Sequence, residues 1–235
     1  MRTIGLLGGM SWDSSIEYYR VVNEETRRRL GGHHCARVLM HSFDFGEIRE
    51  LQKRQAWDEA ADLLLAAARG LEEAGADVLV LCTNLMHRTA DRLEAGTTVP
   101  FLHIADAVGE RARALGLTRL GVLGARPVME ETFYADRLAR HGIEIVVPDE
   151  ADRTLVDRVV FDELTQGRIE ESSRQAYREV IERLAAAGAD GVVLACTEIG
   201  LLVRPEDSPL PLLDTGRVHA EQAVTFALAG VSTTA

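Results

Sequence analysis

An internal repeat constrains the fold of this chain more than any other feature of its sequence. Residues 187–198 read Ala-Gly-Ala-Asp-Gly-Val-Val-Leu-Ala-Cys-Thr-Glu, and residues 74–84 read Ala-Gly-Ala-Asp-Val-Leu-Val-Leu-Cys-Thr-Asn. Each copy has the pattern of a glycine turn, a short buried strand and a polar turn. Residues 3–8 also resemble 119–124, and residues 100–103 resemble 211–214, so the duplication covers most of the chain.

The register of the repeat decides which side chains correspond. Asp190 aligns with Asp77 when no gap is allowed, and this alignment places Cys196 opposite Thr83. Cys82 lies one position upstream of that equivalence. Neighbouring residues of a strand point to opposite faces, so only one of Thr83 and Cys82 can readily share the orientation of Cys196. The register favours Thr83 as the counterpart of Cys196, and Cys82 remains the alternative.

Strands alternate with helices along the chain, which is typical of parallel sheets covered by helices. The predicted strands are residues 3–8, 36–42, 78–81, 99–104, 120–123, 143–147 and 191–194. The first predicted helix begins near residues 13–15 and ends near residue 30. The other predicted helices cover residues 57–74, 88–95, 105–115, 154–164, 172–187 and 217–229. Residues 43–54 are expected to be a polar and aromatic loop that passes into a helix.

These elements predict an α/β protein of two similar parallel-sheet lobes related by a pseudo-twofold axis. Residues 1–104 with 208–235 form the first predicted lobe, residues 105–207 form the second, and the last helix is expected to pack on the first lobe. Ligands of such sheets bind beyond the carboxyl ends of the strands. Both repeated turns follow strand ends, so we expect an active site in the interlobe cleft, with Thr83 and Cys196 on opposite sides.

The composition limits the classes of partner. A hydrophobic fraction of 46% supplies enough core for two lobes, and a net charge of −11 disfavours binding to nucleic acid or to an anionic membrane. Three cysteines do not make a disulfide framework, and no signal-like segment opens the chain, so a cytoplasmic location is expected. Apolar helix faces on both lobes are compatible with a homodimer.

Two motifs that resemble ligand sites are better explained as structural. The glycine-rich loop at residues 5–9 lacks the spacing of a dinucleotide-binding loop, and no lysine follows it as in a P-loop. The run His33-His34-Cys35 has no second cluster at metal-ligand spacing. Cys35 is expected to be a small apolar residue at a strand edge. We therefore predict neither a cofactor nor a metal ion.

Cys196 is the strongest candidate for chemistry. It lies where a strand passes into a turn, beside Thr197 and Glu198. The backbone N–H groups of that turn are expected to lower the pKa of the thiol and to favour the reactive thiolate. A buried structural thiol is the competing interpretation. Thr83, its counterpart in the repeat, becomes a candidate proton donor or ligand hydroxyl.

Three motifs carry a resemblance to a known family: Gly8-Gly-Met-Ser-Trp12, Cys82-Thr-Asn-Leu-Met-His87 and Ala195-Cys-Thr-Glu-Ile199. Together and in this order they resemble the aspartate/glutamate racemases, cofactor-independent enzymes of duplicated α/β fold, over essentially the whole chain. The resemblance implies two thiols, one of them directly before Asn in the first half. This chain has Thr83 at that place and Leu85 where Thr is common. It therefore resembles a subgroup with a Thr and Cys pair that prefers L-aspartate and L-glutamate.

The pairing of a hydroxyl with a thiol has a mechanistic consequence. Racemisation without pyridoxal phosphate needs a base on one face of the α-carbon and an acid on the other. A Thr hydroxyl is a far weaker acid than a thiol, so the two enantiomers should be handled unequally. We expect Cys196 to exchange the α-proton of one enantiomer and Thr83 to serve the opposite face, alone or through water.

The matched motif positions also imply which residues contact an amino acid or dicarboxylate substrate. Hydroxyl, amide and backbone N–H groups can fix carboxylates, and Glu198 could receive an ammonium group. Gln52 has the alternative interpretation of a solvated helix residue. His87 and His103 are candidates to contact the site residues without touching the substrate. The implied set is Met10, Ser11, Gln52, Thr83, Asn84, Leu85, Thr197 and Glu198. The candidate cations for a distal carboxylate are Arg49, Lys53 and Arg168, and no spacing selects among them.

Two other functions are compatible with the same residues. A single thiol could decarboxylate or isomerise a related dicarboxylic acid, because protonation on one face then suffices and Thr83 need only hold the substrate. A carboxylate-binding protein that has lost catalysis is the alternative from outside the enzymes. Proton exchange at the α-carbon distinguishes these functions.

Overall fold

The computed structural model describes residues 1–231, which divide into two compact units. The first unit, here the first lobe, is Met1–His103 together with the described chain from His219 onward, and the second lobe is Ile104–Val218. Each lobe contains one four-stranded parallel sheet against which its helices pack. The predicted α/β class and the two similar parallel-sheet lobes are confirmed.

The first lobe is organised around its first strand, which lies between two others. In chain order its elements are β1 (Thr3–Gly8), α1 (Trp12–Leu30), β2 (Arg37–Ser42), α2 (Phe45–Lys53), α3 (Trp57–Glu73), β3 (Val78–Leu81), a 3₁₀ helix (Leu85–Thr89), α4 (Ala90–Gly96) and β4 (Phe101–Leu102). The strand order is β2-β1-β3-β4 and every pairing is parallel.

The second lobe repeats this arrangement. Its elements are α5 (Ile104–Ala114), β5 (Arg119–Gly124), α6 (Arg126–Glu130), α7 (Thr132–Ala139), β6 (Glu144–Val146), α8 (Glu150–Asp162), a 3₁₀ helix (Leu164–Gln166), α9 (Glu171–Ala186), β7 (Gly191–Ala195), α10 (Ile199–Leu202), a 3₁₀ helix (Pro205–Asp207) and β8 (Leu212–Asp214). The strand order is β6-β5-β7-β8, which matches the first sheet strand for strand. The last helix, α11 (Thr215–Leu228), leads the chain back into the first lobe.

The repeated Gly-Ala-Asp segments prove to be a structural device. Gly75 and Gly188 follow the ends of α3 and α9 with φ angles of 98° and 91°, a left-handed conformation that glycine adopts without steric cost. The carboxylate of Asp77 then accepts a hydrogen bond from the Thr3 N–H at 2.6 Å. Asp190 accepts one from the Arg119 N–H at 3.0 Å. Each aspartate therefore ties the start of the third strand of its sheet to the start of the first.

The core of the first lobe has two apolar clusters, one on each face of the sheet. On one face the side chains of Ile4 and Val80 pack with those of α1 and α11, including Tyr18 and Val224. On the other face the residues of β1 and β3 pack with α2 and α3. The last helix packs on the first lobe as predicted, because its small residues form part of the first cluster.

Several element boundaries differ from the sequence prediction for local reasons. The predicted strand at 99–104 shortens to β4, since Pro100 has no N–H to donate to a strand ladder. The α8 helix begins before the predicted residue 154, because the side chain of Asp149 accepts a hydrogen bond from the Asp152 N–H at 2.9 Å and caps the helix. The predicted helix at 88–95 is divided between a 3₁₀ turn and α4.

The two motifs that were interpreted as structural have simple explanations. The Gly9 N–H donates to the Ser15 hydroxyl at 2.7 Å, and a Cβ atom on Gly8 would lie 2.7 Å from the same oxygen, so the glycines admit the first turn of α1. Cys35 is exposed in the loop before β2. The expectation that it is an apolar strand-edge residue was wrong, because the strand begins two residues later.

Among residues 1–231 no helix is both long enough and apolar enough to cross a membrane. Within the same residues no three His, Cys, Asp or Glu side chains are grouped so that they could hold a metal ion.

The role of Asp190 gives a stability prediction. Burial raises the pKa of this carboxyl group, but the hydrogen bonds from the N–H groups of Thr118 and Arg119 and from the Thr118 hydroxyl act together in the opposite direction, and the net pKa is lowered. We expect Asp190→Asn to destabilise the protein by about 1 kcal/mol at neutral pH. For a chain of this size that is a fall of about 2–4 °C in Tm.

Thermal unfolding of the wild type and of Asp190→Asn at several pH values measures this effect. A lowered folded-state pKa contributes stability above the ordinary pKa of the carboxyl, and this contribution is lost as the pH falls through the folded-state pKa. The difference in Tm should therefore disappear in acid. Glu182→Gln, a change of the same charge on an exposed position of α9, is the matched control and should leave Tm unchanged. An equal Tm for Asp190→Asn and wild type at neutral pH would contradict the assigned role.

Candidate active site

The register of the two sheets places Thr83 and Cys196 at equivalent points. Leu81 pairs with Leu7 of β1, and Leu194 pairs with the equivalent leucine of β5. Thr83 and Cys196 each lie two residues further along, where the chain leaves the carboxyl end of a central strand. The equivalence inferred from the ungapped repeat is therefore also present in the strand pairing of each lobe.

Cys82 belongs to the core. Its side chain is fully buried in the apolar cluster that includes Ile4, Tyr18 and Val224. The Sγ atom lies 3.8 Å from the Val80 carbonyl oxygen. Burial raises the pKa of the Cys82 thiol far above its ordinary value, so the thiolate is strongly disfavoured.

Thr83 begins a tight, buried loop. Its side chain is 8% exposed, and its N–H donates to the Leu81 carbonyl at 2.9 Å. The Thr83 carbonyl oxygen lies 2.7 Å from Nδ1 of His87, and the His87 N–H donates to the Asn84 carbonyl at 3.1 Å. Asn84 and Leu85, which the motif also places at the site, are both buried in this turn.

The first-lobe residues upstream of this loop have well-defined contacts. Met10 is buried in the apolar cluster that also contains Met86. The Ser11 hydroxyl caps α1 by accepting a hydrogen bond from the Ser14 N–H at 3.4 Å. Gln52 is half-buried, and its Nε2 donates to the Met86 sulfur at 3.3 Å. Gln52 therefore lies in α2 and is partly shielded from solvent, with its side chain beside the loop that follows β3.

The three candidate cations differ in their surroundings. Arg49 is half-buried, and its Nη1 donates to the Gln52 Oε1 at 2.8 Å. Lys53 is exposed and forms a 2.8 Å ion pair with Glu50. Arg168 is exposed in the second lobe, where it donates to the Asp162 carbonyl. Among the three, only Arg49 contacts another of the predicted site residues in the described contacts.

The second-lobe residues form a compact hydrogen-bonded group around a carboxylate. The Cys196 thiol donates to Oε2 of Glu198 at 3.0 Å, and the Thr197 hydroxyl donates to the same oxygen at 3.0 Å. Glu198 is only 2% exposed, whereas Cys196 and Thr197 are partly exposed. The Ile199 N–H donates to the Cys196 carbonyl at 3.0 Å and closes the turn.

The expected direction of the Cys196 pKa was wrong. Withdrawal of the sulfur from water raises the pKa of the thiol well above its ordinary value, and the negative charge of Glu198 raises it further. The backbone N–H of Glu198 acts in the opposite direction but is outweighed. The resting residue is therefore a thiol that donates a hydrogen bond to a buried carboxylate.

His219 is a residue beside His87 that the sequence interpretation missed. It is fully buried in α11, and its ring lies 5.8 Å from the ring of His87, centroid to centroid. The available signal was the spacing of His219 four residues before Ala223 and five before Val224, which places it on the apolar face of α11. The packing of α11 against β4 brings His219 to this part of the lobe, where its Nε2 lies 2.8 Å from the Leu102 carbonyl.

The family model for Asp/Glu/Hydantoin racemase matches residues 7–223. The chain belongs to this family. Its members among aspartate and glutamate racemases are isomerases, and the two-lobe α/β fold found here is the fold of those racemases. The match includes both strand-end turns described above.

Three relatives illustrate the range of the racemase family. A crystal structure of a candidate Asp/Glu racemase from Yersinia pestis is 47% identical, covers 97% of this chain and 100% of that chain, and superposes with a TM-score of 0.91. An aspartate racemase homologue from Pyrococcus horikoshii OT3 is 28% identical, covers 97% and 99%, and has a TM-score of 0.83. The broad specificity amino-acid racemase RacX of Bacillus subtilis is 22% identical over 73% of this chain and 74% of its own length.

The raised pKa of Cys196 predicts slow alkylation. At neutral pH we expect iodoacetamide to modify exposed Cys35 first, Cys196 much more slowly, and Cys82 only after unfolding, because the thiolate is the reacting species. Replacement of Glu198 by Gln removes the neighbouring negative charge and should speed the modification of Cys196 several-fold.

Mass spectrometry of the three cysteine peptides over time measures all the rates in one sample. Cys35 serves as the internal reference for reagent and pH, and its rate should be the same in the wild type and in Glu198→Gln. Alkylation of Cys196 that is as fast as that of Cys35 in the wild type would mean that the thiol is not held protonated by its surroundings.

Proposed function

We propose that this enzyme racemises an acidic amino acid, aspartate or glutamate, without pyridoxal phosphate, and that Cys196 and Thr83 act on opposite faces of the α-carbon. The observation that carries the proposal is the equivalent position of the two side chains, each two residues beyond the paired leucine of a central strand. Racemisation requires an acid and a base on opposite faces of the same carbon atom. A duplicated fold supplies two such groups from one structural template.

The Cys196 and Glu198 pair supports a definite proton balance. Protonation of the substrate carbanion by Cys196 breaks the S–H bond, forms the Cα–H bond and leaves a thiolate. That thiolate regains a proton from Oε2 of Glu198, 3.0 Å away. In the opposite direction the thiol proton first passes to this oxygen, the thiolate then accepts the α-proton, and Glu198 releases its proton to solvent after the substrate is protonated on the other face. Glu198 therefore holds a proton during one half of the reaction, in addition to the ammonium contact that the motif implies for it.

The packing of Cys82 supports Thr83 as the group for the other face. Cys82 is fully buried among apolar side chains on the core side of the sheet, and its thiolate is disfavoured by burial. Thr83 occupies the position equivalent to Cys196. A hydroxyl is a weaker acid than a thiol, so proton transfer on this face requires a bound water or a late, strongly assisted transfer.

The surroundings of Arg49 support an acidic substrate. Its guanidinium bonds Gln52, which in turn contacts Met86 in the loop after β3. A guanidinium can bind the distal carboxylate of aspartate or glutamate through two hydrogen bonds. We therefore place the distal carboxylate at Arg49 and the α-carboxylate at the hydroxyl and N–H groups of the two strand-end turns.

The unequal pair predicts unequal rates and leaves the equilibrium unchanged. Two enantiomers have the same free energy in water, so the final ratio must be one to one whatever the rates. The proposed L preference then appears as faster α-proton exchange from the L enantiomer, with inversion slower than exchange. A carboxylate-binding protein without catalysis would bind the amino acid and show neither.

Solvent deuterium exchange tests the proposal directly. L- and D-aspartate and glutamate are incubated with enzyme in D₂O, and NMR follows loss of the α-proton while chiral chromatography follows inversion. Removal of a catalytic thiol should lower exchange by at least about 10²-fold, so we expect Cys196→Ser to show almost none.

Cys35→Ser, at an exposed cysteine, is the matched control and should exchange at the wild-type rate. Exchange that survives Cys196→Ser would reject Cys196 as the proton-transfer group. Loss of exchange in Cys82→Ala together with full activity in Thr83→Ala would reject the register argument. Deuterium incorporation accompanied by release of CO₂ from a substituted malonate, with none into the amino acids, would favour the decarboxylase.

A second thiol should make the two faces more alike. In Thr83→Cys the new sulfur can serve as either acid or base near neutral pH, so turnover of the D enantiomer should rise relative to that of the L enantiomer. Initial rates from each pure enantiomer measure the ratio, and Thr83→Ser, which keeps a hydroxyl, should keep the wild-type ratio. An unchanged ratio in Thr83→Cys would mean that another residue serves this face.

A further inference from the structure

A cluster of three buried histidines lies at the carboxyl end of the first sheet. His87, His103 and His219 are 2%, 5% and 0% exposed. The ring of His87 contacts both others, with centroid separations of 4.5 Å to His103 and 5.8 Å to His219. These residues come from the loop after β3, the end of β4 and the α11 helix, and the last of them is more than a hundred residues further along the chain.

The hydrogen bonds of the cluster fix which ring nitrogens carry hydrogen. A carbonyl oxygen can only accept, so Nδ1 of His87 donates to the Thr83 carbonyl at 2.7 Å. Nε2 of His219 likewise donates to the Leu102 carbonyl at 2.8 Å. In neutral His219 the other nitrogen is an acceptor, and the Tyr18 hydroxyl donates to it at 2.9 Å.

The bond from His87 fixes the backbone at Thr83. β3 ends at Leu81, so no strand ladder orients the Thr83 peptide, and its N–H turns back to the Leu81 carbonyl. The loop is closed twice by His87, through its side chain to Thr83 and through its N–H to Asn84 at 3.1 Å. Because the peptide carbonyl and the side chain share one Cα atom, fixing the first orients the Cα–Cβ bond that carries the Thr83 hydroxyl.

We propose that His87 is a positioning residue for Thr83, holding the Thr83 carbonyl through its Nδ1–H while His103 and His219 confine its ring. The inference rests on the proposed role of Thr83 and adds to it the group that sets the geometry of that face. A displacement of about 1 Å can cost roughly 10²-fold in rate. Loss of this one hydrogen bond should therefore affect catalysis on the Thr83 face far more than substrate binding.

Two variants of matched shape test the proposal. Asn places an amide N–H near the position of Nδ1, whereas Leu has the same shape as Asn and no donor. We expect His87→Asn to retain most of the inversion rate and His87→Leu to lose roughly 10- to 100-fold in kcat, with KM changed by less than about twofold. α-Proton exchange through Cys196 should fall much less than inversion, because only the Thr83 face is disturbed.

His87→Gln provides a second polar variant should the Leu variant fold poorly. Its longer side chain carries the amide toward the position of Nε2, so it should lose inversion like Leu while keeping a polar group in the cluster. Exposed His33→Leu is the surface control and should behave as wild type. Equal kcat values for the Asn and Gln variants would overturn the proposal, since a purely structural role does not distinguish the two nitrogens.

A double-variant comparison separates this proposal from the function on which it rests. If His87 acts through Thr83, His87→Leu should cause no further loss of kcat in a Thr83→Ala background. A further loss of tenfold or more would overturn the positioning role while leaving the role of Thr83 intact. Full activity of Thr83→Ala by itself would overturn both.

Discussion

The pairing of β3 with β1, and of β7 with β5, is the constraint on which the candidate site depends. In a strand, side chains alternate between the two faces, so a fixed pairing of Leu81 and Leu194 also fixes the residues that follow. The next position, Cys82 or Ala195, enters the core, and the one after that, Thr83 or Cys196, is the first at the open end. A shift of one residue in either sheet would exchange a buried side chain for a catalytic candidate.

The two lobes share this strand register but have different chemical groups at the equivalent strand end. In the second lobe a thiol lies 3.0 Å from a buried carboxylate, and both burial and that charge keep the thiol protonated at rest. In the first lobe a hydroxyl follows a buried, inert thiol and is held from its carbonyl side by His87. The fold was duplicated, but the strand ends of the two lobes have different partners, and in the proposed racemisation this difference is the physical basis for unequal handling of two enantiomers.

Local patterns predicted most of the fold, and the errors lay where local signals compete. The Gly-Ala-Asp segments could be recognised as strand starts, although the bonds from Asp77 and Asp190 to the preceding strand became visible only in the sheet. Helix starts at Ser11 and Asp149 depend on side-chain caps that a periodicity argument underestimates. The loop after β3 was predicted to pass directly into an α-helix, and a buried 3₁₀ turn replaced its first residues.

The sequence by itself determined the duplication, the family motifs and the equivalence of Thr83 with Cys196, because these follow from spacing along one chain and from the period-two alternation of strands. Only the tertiary structure decided the protonation of Cys196 and the presence of His219 beside His87. A pKa depends on how completely folding removes a group from water and on which charge it then meets. The histidine cluster likewise depends on the packing of α11 against β4, which joins residues that are more than a hundred positions apart in the chain.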